Sequence, residues 1–492
     1  MAEPLLPSST LLDRLSPLIA YRDPPAYFVG GVVRDALLGR PVHDIDIAVE
    51  SGAMDLAYEL ADRLGLPVYP LDKERDVGRI VAAQESTTLD IARFRGEDLL
   101  ADLRGRDFTI NAMALPAGAT TPDQIIDPHD GRIDLAARRL QPVHERSIAE
   151  DPVRALRAVR LAVQLDFRLT ADTSAAAKAA APAIPARISA ERIRDELIRL
   201  LDLATPDAGI HLLDELGLLA AILPEIAALK GLTQSPPHHE PVFEHSLSAL
   251  HRLVDIERWL HEPDSAVEFA AIEPVAGVYR AGLIEHLNRG VDGGLTIRQL
   301  LRWGTLLHDA GKALTQTVDP DGRIRFLRHD EVGAAVARQR LNALNFSNEA
   351  TRHVGEIVAG HMRPLYLASD KRPPSRRTIY RFYRSLPSAG LSIPLLALAD
   401  HLATYDGIGD ETSWRWLLTV IGSLYESYFT AYGETVRPAR LLTGVEVMGI
   451  LKFDGGPEIG RLLRLLEEAQ AAGEIATKAE AIAFVRQQYR TP

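Results

Sequence analysis

Two aspartates separated by one residue, Asp44 and Asp46, are the first candidates for chemistry in this sequence. Apolar and acidic residues alternate here, which predicts a strand with both carboxylates on one face. Two adjacent carboxylates repel each other unless cations bridge them, and phosphoryl transfer commonly uses two divalent ions about 3.5 to 4 Å apart. Mg²⁺ binds carboxylate oxygens readily, and Asp90 is the best-placed third acidic residue. Taken alone, an Asp-x-Asp pattern has a simpler interpretation, a solvated strand edge.

A glycine pair stands shortly before these aspartates. Gly30 and Gly31 follow an apolar run and precede a helical segment that carries Arg34 and Asp35. Because neither glycine has a Cβ, main-chain N–H groups and the start of a helix can approach phosphates closely. The sequence therefore predicts a phosphate contact near the candidate metal ligands.

Further motifs follow in order along the first 200 residues. They are Gly30-Gly31-Val32-Val33-Arg34-Asp35, Asp44-Ile45-Asp46, Arg106-Asp107-Phe108-Thr109-Ile110-Asn111-Ala112, Asp127-Pro128, Glu150-Asp151-Pro152-Val153-Arg154-Ala155-Leu156-Arg157 and Ser189-Ala190-Glu191-Arg192-Ile193. The set resembles the polymerase β-type nucleotidyltransferases, specifically the bacterial and eukaryotic class of tRNA CCA-adding enzymes and their poly(A) polymerase relatives. Gly105 stands where that family often has arginine, which is a departure at a phosphate or primer contact.

The resemblance implies a role for each of these side chains. It assigns catalysis to Asp44, Asp46 and Asp90, metal binding to Asp44 and Asp46, and nucleotide binding to Gly30, Gly31, Arg34, Arg106, Asp107, Asn111, Asp151, Arg154 and Arg157. Asp151 and Arg154 are expected at positions i and i+3 of one helix, where they could read cytosine or adenine without a template. An ordinary helical salt bridge is the alternative for this pair.

A second group of candidate ligands, imidazoles and carboxylates, lies later in the chain: His245, His308, Asp309 and Asp400. A lone histidine in an apolar helix is usually a packed core residue. This ordered set, with Lys312 nearby, looks like the HD superfamily of metal-dependent phosphohydrolases. The resemblance implies an all-helical fold and a divalent metal that activates water against a phosphoester. His329 and His361 fall where binuclear members of the superfamily place extra ligands.

The residue pattern also predicts the elements that position these side chains. Strand patterns occur at 27–29, 45–49, 79–83 and 88–93, with helical patterns at 11–19 and 54–64. From about Ser147 helical spacing continues alone, with helices expected at 153–164, 189–203 and 208–219. Together with the resemblances, this predicts an α+β fold: a polymerase β-like head with a small mixed sheet, then an all-helical neck, HD domain and tail. The expected boundaries are 1–145, 146–232, 233–410 and 411–492.

Length and composition exclude several classes of protein. A chain of 492 residues, 46% hydrophobic and 25% charged, is expected to form several globular domains rather than a disordered, collagenous or coiled-coil chain. The 55 Lys and Arg against 67 Asp and Glu give a net charge of −12, so a polynucleotide must be bound by local basic patches. The sequence has no cysteine, which excludes disulfides, thiol catalysis and thiolate zinc sites.

The segment 1–18 lacks the basic stretch and apolar block of a signal peptide, and no apolar run approaches about 18 residues. We therefore expect a protein of the reducing cytoplasm without a membrane partner. Its oligomeric state stays open.

A basic stretch at 371–384 interleaves lysine and arginine with Tyr380, Phe382 and Tyr383. Cations neutralise phosphates and aromatic rings stack on bases, so this stretch is a candidate RNA contact. The alternative is a solvated helix face whose rings point into the core. The segments 442–444 and 456–470 resemble the C-terminal region with which bacterial tRNA nucleotidyltransferases hold tRNA.

These features predict a template-independent enzyme that adds CMP and AMP from CTP and ATP to the tRNA 3′ end, using Mg²⁺, with a second divalent metal in the HD domain. The same head motifs would suit an enzyme that adds only CC, only A or a poly(A) tail. A rival of another class is an HD phosphohydrolase acting through His245, His308, Asp309 and Asp400. A third alternative is an RNA-binding protein without catalysis.

Overall fold

The computed structural model describes residues 10–42, 44–85, 87–119, 121–263, 267–292, 294–453 and 455–490. They form two compact units. The first contains the residues up to Glu196 together with Glu215–Ala221, and the second contains Leu197–Asp214 together with the residues from Ile222 onward. The expected division into four parts, with boundaries after residues 145, 232 and 410, stays a prediction.

The N-terminal half of the chain combines a sheet with helices. Its strands are β1 (Tyr27–Val29), β2 (Asp44–Val49), β3 (Val68–Asp72), β4 (Val77–Ala82), β5 (Thr87–Arg93), β6 (Ala114–Pro116), β7 (Arg139–Leu140) and β8 (Arg168–Leu169). Its helices are α1 (Thr10–Ile19), α2 (Gly31–Leu37), α3 (Ala53–Leu64), α4 (Leu99–Arg104), α5 (Gly131–Ala136), α6 (Ser147–Glu150), α7 (Val153–Leu165), α8 (Ala171–Ala180), α9 (Ile184–Arg187) and α10 (Ala190–Leu201).

Six strands form a mixed sheet in the order β3-β4-β5-β2-β1-β6. Strands β2 and β5 are parallel, and the other neighbouring pairs are antiparallel. The predicted head with a small mixed sheet is therefore confirmed. The two aspartates of β2 pair with β5, whereas β1 is registered only with Ile47 and Ala48. The interpretation of the Asp-x-Asp pattern as a solvated strand edge therefore fits the exposed Asp44 but not the half-buried Asp46.

The two faces of the sheet differ in polarity because side chains alternate along β2. Ile45 and Ile47 are buried, whereas Asp44 is exposed and Asp46 is half-buried. Helix α3 packs against β4 and β5 through a buried stripe that includes Leu56 and Leu60. Burial of each of these large apolar side chains stabilises the folded state by about 1.5 to 3 kcal/mol. The apolar face is thus covered, and the acidic face stays open for function.

Two elements depart from the expected pattern. The edge strand β3 has no sequence counterpart among the expected strands, because Tyr69 and Leu71 are exposed and its face needs no apolar alternation. The helix expected at 208–219 is broken: one helix ends at Glu215 and another begins at Leu218. Gly217 lies between them at φ +70°, a left-handed backbone conformation that ends a helix and that glycine adopts without steric cost.

The later part of the chain is mainly helical, as expected. Its helices are α11 (Pro206–Glu215), α12 (Leu218–Ile222), α13 (Pro224–Ala227), α14 (Val242–His261), α15 (Val267–Ile272), α16 (Arg280–Asn288), α17 (Ile297–Leu307), α18 (Lys312–Thr315), α19 (His329–Ala343), α20 (Asn348–Gly360), α21 (Arg363–Ser369), α22 (Arg376–Ser385), α23 (Ile393–Tyr405), α24 (Glu411–Thr430), α25 (Gly444–Leu451), α26 (Pro457–Ala471) and α27 (Lys478–Arg490). Two short hairpins interrupt it: β9 (Gly290–Val291) with β10 (Leu295–Thr296), and β11 (Gln316–Val318) with β12 (Ile324–Phe326). Among the described residues, no helix combines the length and apolarity that crossing a membrane requires.

Helix α23 is the centre of the second unit. It is predominantly apolar and is buried from Ile393 to Thr404, which is the pattern of a helix surrounded by others. Helix α14 packs closely against it. This packing brings His245 of α14 next to Asp400 of α23, so two of the predicted ligands are positioned by the core itself.

Candidate active site and metal cluster

The three acidic side chains of the head lie in register on the open face of the sheet. In the parallel pair of β2 and β5, Asp46 is opposite Asp90 and Asp44 is opposite Thr88. Thr88 Oγ1 donates a hydrogen bond to Asp44 Oδ1 at 2.8 Å. Arg79 forms a bidentate ion pair with Asp90, with both distances 2.6 Å. Asp90 therefore stands beside Asp46 as expected, but Arg79 already compensates its charge.

Asp46 lies in an environment that is unfavourable for a carboxylate. Burial raises its pKa from 3.8 to about 6; Arg106 opposes the rise, and Asp90 and Asp44 add to it. At neutral pH Asp46 is ionised, although its burial makes the ionised form unfavourable in the folded protein. A divalent cation bound by the oxygens of Asp44 and Asp46 would favour the ionised form, so the residues fit such an ion.

Gly30 allows the backbone to lie directly beside these groups. Its φ is +74°, and a Cβ at this position would stand 2.8 Å from Arg106 Nη1 and 3.4 Å from Asp46 Oδ2. Any other residue would be strained by its φ and would collide with Arg106. Gly30 is thus needed for close approach, as its sequence context predicts, whereas a Cβ at Gly31 would make only an ordinary contact at 3.5 Å.

A cavity of about 1010 Å³ opens beside the carboxylates. Its lining includes the predicted residues Gly30, Gly31, Asp46, Asp90, Arg106, Asp107, Asn111, Asp151, Arg154 and Arg157. Arg34 and Asp44 are the two predicted head residues that are not among its described lining residues. The volume is at the upper end of the range of about 300 to 1,000 Å³ for small-molecule sites.

A chain of hydrogen bonds fixes the side chains on one wall of this cavity. Arg34 Nη1 donates to Asn111 Oδ1 at 2.7 Å, and Asn111 Nδ2 donates to Asp107 Oδ1 at 3.1 Å. Arg157 Nη1 donates to Asp107 Oδ2 at 3.1 Å and also pairs with Glu196. Burial alone would raise the pKa of Asp107, but Arg157 and Asn111 hold it below its ordinary value. Arg34 acts on the cavity through Asn111 rather than from the cavity lining.

The expected placement of Asp151 and Arg154 on one helix is wrong. Asp151 follows α6 with an extended backbone, φ −135° and ψ 91°, and α7 begins only at Val153. The reason is Pro152, because proline disfavours the helical conformation of the residue before it. The salt bridge between Asp151 and Arg154 is also absent. Asp151 instead pairs with Arg192 at 2.7 Å.

Arg154 supports the backbone of the neighbouring motif. Its guanidinium donates to the carbonyl oxygens of Gly105 at 2.7 Å and Arg106 at 3.1 Å, and to Ser147 Oγ at 2.7 Å. These bonds occupy donors that would otherwise be available to a base. Arg154 therefore positions the segment that carries Arg106 while it lines the cavity.

Sequence reasoning missed Asp102. This buried carboxylate accepts hydrogen bonds from Arg106 Nε at 3.1 Å and Nη2 at 3.0 Å, which aims Arg106 at Gly30 and Asp46. The spacing of Asp102 and Arg106, four residues apart, was the available signal.

Six buried side chains of the second unit form two adjoining groups, one of His245, His308 and Asp400 and the other of Asp309, His329 and His361. His245 Nε2 lies 2.9 Å from Asp400 Oδ1. Asp309 lies between the groups, with Oδ2 3.3 Å from His308 Nε2 and Oδ1 3.4 Å from His329 Nε2. The structure therefore brings together all four predicted ligands and both suggested extra histidines.

Backbone carbonyls hold three of these imidazoles in one tautomer. Nδ1 of His308, His329 and His361 each lies 2.7 to 2.8 Å from the carbonyl oxygen three residues earlier. When Nδ1 donates this hydrogen bond, the lone pair of Nε2 points into the cluster, which is the arrangement of histidines that bind metals.

The electrostatics of the cluster also suit a cation. Burial, together with the neighbouring His308 and His329, lowers the pKa of His361 to about 3, so its Nε2 is unprotonated at neutral pH. Burial alone would raise the pKa of Asp309, but His308 and Lys312 hold it well below its usual value. His308 Nε2 is buried and has no hydrogen-bond partner in the described part of the chain. The neutral imidazole of His361, the ionised carboxylate of Asp309 and the unsatisfied nitrogen of His308 fit a divalent metal.

A cavity of about 620 Å³ leads to this cluster. Its lining combines Asp309, His329, His361 and Asp400 with the cationic side chains of Lys312 and Arg323. It also includes His238, whose ring lies edge-on against His245 at a centroid distance of 4.8 Å. Sequence reasoning did not single out His238, although its Pro- and His-rich surroundings were a signal.

In the basic stretch at 371–384 the aromatic rings point into the core, which was the alternative to an RNA contact. Tyr380, Phe382 and Tyr383 are each at most 5% exposed, so their rings are not available to stack on bases. Arg377 pairs with Glu474 at 2.6 Å, and the neighbouring Arg381 and Arg384 pair with Glu468 and Glu467 of α26. The stretch joins α22 to α26 by ion pairs, and stacking on RNA by these three rings is excluded.

Comparison with known proteins agrees with this architecture. Residues 26–141 match the family described as the poly A polymerase head domain, residues 166–230 match a probable RNA and SrmB-binding site of polymerase A, and residues 281–404 match the HD domain. A CC-adding tRNA nucleotidyltransferase of Thermus thermophilus is 36% identical over 94% of this chain and 94% of its own length. An A-adding tRNA nucleotidyltransferase of Deinococcus radiodurans is 36% identical over 94% of this chain and 95% of its own. A solved CCA-adding enzyme in complex with ATP shares the fold, with a TM-score of 0.58, 20% identity and coverage of 98% of this chain and 97% of its own.

Proposed function

Because this chain belongs to the tRNA nucleotidyltransferase family, we propose that it extends the 3′ end of tRNA in the cytoplasm with CMP and AMP taken from CTP and ATP. No template strand is needed. The observation that carries the proposal is the pair Asp44 and Asp46 on the open face of the sheet, next to a cavity lined by the other head motifs.

The reaction is attack of the terminal tRNA hydroxyl on the α-phosphorus of the nucleotide, with pyrophosphate as the leaving group. Mg²⁺ held by Asp44 and Asp46, with Asp90 as the proposed third acid, would activate the hydroxyl and neutralise charge on the phosphates. Arg106, aimed by Asp102, faces the same region and stabilises the negative charge that develops there.

Other residues that line the cavity supply groups for the nucleoside. Asp107 and Asn111 are held by Arg157 and Arg34 and are proposed to orient the ribose. Asp151 is proposed to accept a hydrogen bond from the exocyclic amine that cytosine and adenine share. The ion pair with Arg192 involves only Oδ2 of Asp151, so Oδ1 would make this contact.

The test is extension of one tRNA prepared with three different ends: the discriminator base, C, and CC. Each is incubated with Mg²⁺ and either CTP or ATP. An enzyme that builds CCA adds C to the first two ends and A to the third. A CC-adding enzyme does not add A, an A-adding enzyme extends only the third end, and a poly(A) polymerase adds runs of A. Absence of metal-dependent incorporation on all three ends would contradict the proposal.

The buried cluster supports a second candidate function, hydrolysis of a phosphoester in the HD domain. Its support is specific: six potential ligands converge around Asp309, and one of them, His308, has an unsatisfied Nε2 among the described residues. Divalent metal in this cluster would activate water. The adjoining cavity carries Lys312 and Arg323, whose charges suit a phosphate group.

A further inference from the structure

Arg95 lines the nucleotide cavity but belongs to none of the head motifs. It lies two residues after the end of β5, and its backbone N–H donates to Asp102 Oδ1 at 3.0 Å. The other oxygen of Asp102 accepts the hydrogen bonds from Arg106. One buried carboxylate thus fixes the main chain at Arg95 and the guanidinium of Arg106 at the same place.

Of the other arginines that line this cavity, all but Arg93 have side-chain partners among the described residues, and Arg75 pairs with Asp72. Arg106 is paired with Asp102, Arg157 with Asp107, and Arg192 with Asp151. The donors of Arg154 are occupied by backbone carbonyls. In contrast, the guanidinium of Arg95 makes no hydrogen bond or ion pair with a described residue, and its side chain is exposed to the cavity. It is a fixed-charge donor group without an acceptor.

Two of the charged groups near Arg95, Arg106 and Arg154, have the same sign as its own. Partial withdrawal from water lowers the pKa of Arg95, and the neighbouring Arg106 and Arg154 lower it further, against the opposing effect of Asp102 and Asp107. Three guanidinium groups are therefore gathered in one part of the cavity. Their mutual repulsion would be relieved by an anion with several charges.

The position of Arg95 along the cavity indicates which part of the nucleotide it meets. Arg106 borders Asp46 through Gly30, and Arg95 borders Arg106 through their shared partner Asp102. The α-phosphate must lie near Asp46 for transfer to occur. The β- and γ-phosphates would then extend toward Arg106 and Arg95.

We propose that Arg95, together with Arg106, binds the β- and γ-phosphates of the incoming nucleotide and hence the departing pyrophosphate. The inference rests on the proposed nucleotidyltransferase function. The inference also explains how the site can do without an arginine at position 105, where this chain has Gly105 and the family often has arginine. Arg95 supplies a cation to the same cavity from a different segment.

Binding measurements without tRNA test this directly. With Mg²⁺ present, Arg95→Ala should weaken binding of CTP, ATP and pyrophosphate about 10- to 100-fold, which is the loss expected for a charge-assisted hydrogen bond. Binding of CMP should change less than about twofold, because the monophosphate does not reach Arg95. In the extension assay KM for CTP and ATP should rise equally, because the contact is to phosphate and not to the base.

Arg104→Ala is the matched control, since Arg104 is an exposed arginine of α4 outside the cavity lining and its loss changes the net charge by the same amount. It should bind pyrophosphate like the parent protein. Arg95→Lys, which keeps the charge without the planar fork, should bind with intermediate affinity and covers the case in which Arg95→Ala does not fold.

Two results would overturn the inference: unchanged pyrophosphate affinity in folded Arg95→Ala, or equal weakening of CMP and CTP. Failure of the proposed function has a different signature. In that case the parent protein itself would not extend tRNA, whatever its affinity for pyrophosphate.

Discussion

Asp46→Ala and Asp44→Ala are each expected to reduce nucleotide incorporation about 10³-fold or more, because each removes a carboxylate needed to hold charge opposite the reacting phosphate. Affinity for tRNA should change by less than about twofold, since phosphate contacts along the RNA supply most of the binding free energy. Incorporation is measured with radiolabelled CTP or ATP on tRNA ends, and affinity is measured by filter binding.

Asp62→Ala is the control for these variants. Asp62 is an exposed aspartate of α3 and does not line the cavity, so its removal should leave incorporation at the parent rate. Parent-level incorporation by both Asp44→Ala and Asp46→Ala would show that the acidic pair is not the catalytic centre.

Asp46 also gives a stability signature in the absence of divalent ions. Raising its pKa from 3.8 to about 6 corresponds to a cost of about 3 kcal/mol for the ionised form in the folded protein. The folded state binds this proton more tightly than the unfolded state, so the contribution of Asp46 to stability falls as the pH rises from about 4 to about 6 and is then constant. The side chain of Asp46→Asn does not ionise. In chelating buffer at pH 8 the free energy of unfolding of this variant should therefore exceed that of the parent by about 2 to 3 kcal/mol, with no gain at pH 4. An equal difference at both pH values, measured by urea denaturation, would refute this account.

The helical unit is expected to retain about two divalent ions per chain after dialysis, and Asp309→Asn should lose both. Asp309 is the carboxylate between the two groups of ligands, so its charge serves both. His353→Gln is the matched control, because His353 is also buried but lies outside the cluster. Elemental analysis of the purified variants decides: metal retained in Asp309→Asn, or lost equally in His353→Gln, would contradict the prediction.

The same variants test hydrolysis by the HD domain. Release of phosphate from nucleotide or cyclic phosphodiester substrates should disappear in Asp309→Asn and His308→Ala and persist in Asp44→Ala. Metal retention should also weaken in acid, because Asp309 and Asp400 raise the pKa of His308 against the effect of its burial, and protons then compete with the metal for its nitrogen. Phosphate release that is unaffected by His308→Ala would exclude the cluster as its source.

Several site features followed directly from local sequence. Alternation along β2 placed Asp44 and Asp46 on one face, and the glycine at position 30 indicated a close backbone approach. Both depend on the geometry of a few neighbouring residues. The edge strand β3 escaped prediction because an exposed strand need not carry an apolar pattern.

The placement of Asp151 shows how a local rule can mislead. The i, i+3 spacing to Arg154 suggested one helix, but Pro152 separates them, and each finds a partner from a distant segment: Arg192 for Asp151, and the Gly105 carbonyl for Arg154. The aromatic residues of the basic stretch are a similar case. Their burial depends on packing in the core, which spacing along α22 does not reveal.

By itself the sequence determined the order of the motifs, the family they indicate, the shared face of Asp44 and Asp46, and the ligand types of the later histidine and aspartate set. Only the tertiary structure decided that β5 pairs in parallel with β2 and brings Asp90 opposite Asp46, that Arg79 compensates Asp90, and that six distant ligands converge around Asp309. The physical reason is range: strand alternation and turn conformation are set within a few residues, whereas strand register, burial and the pairing of charges depend on segments that meet only when the chain folds.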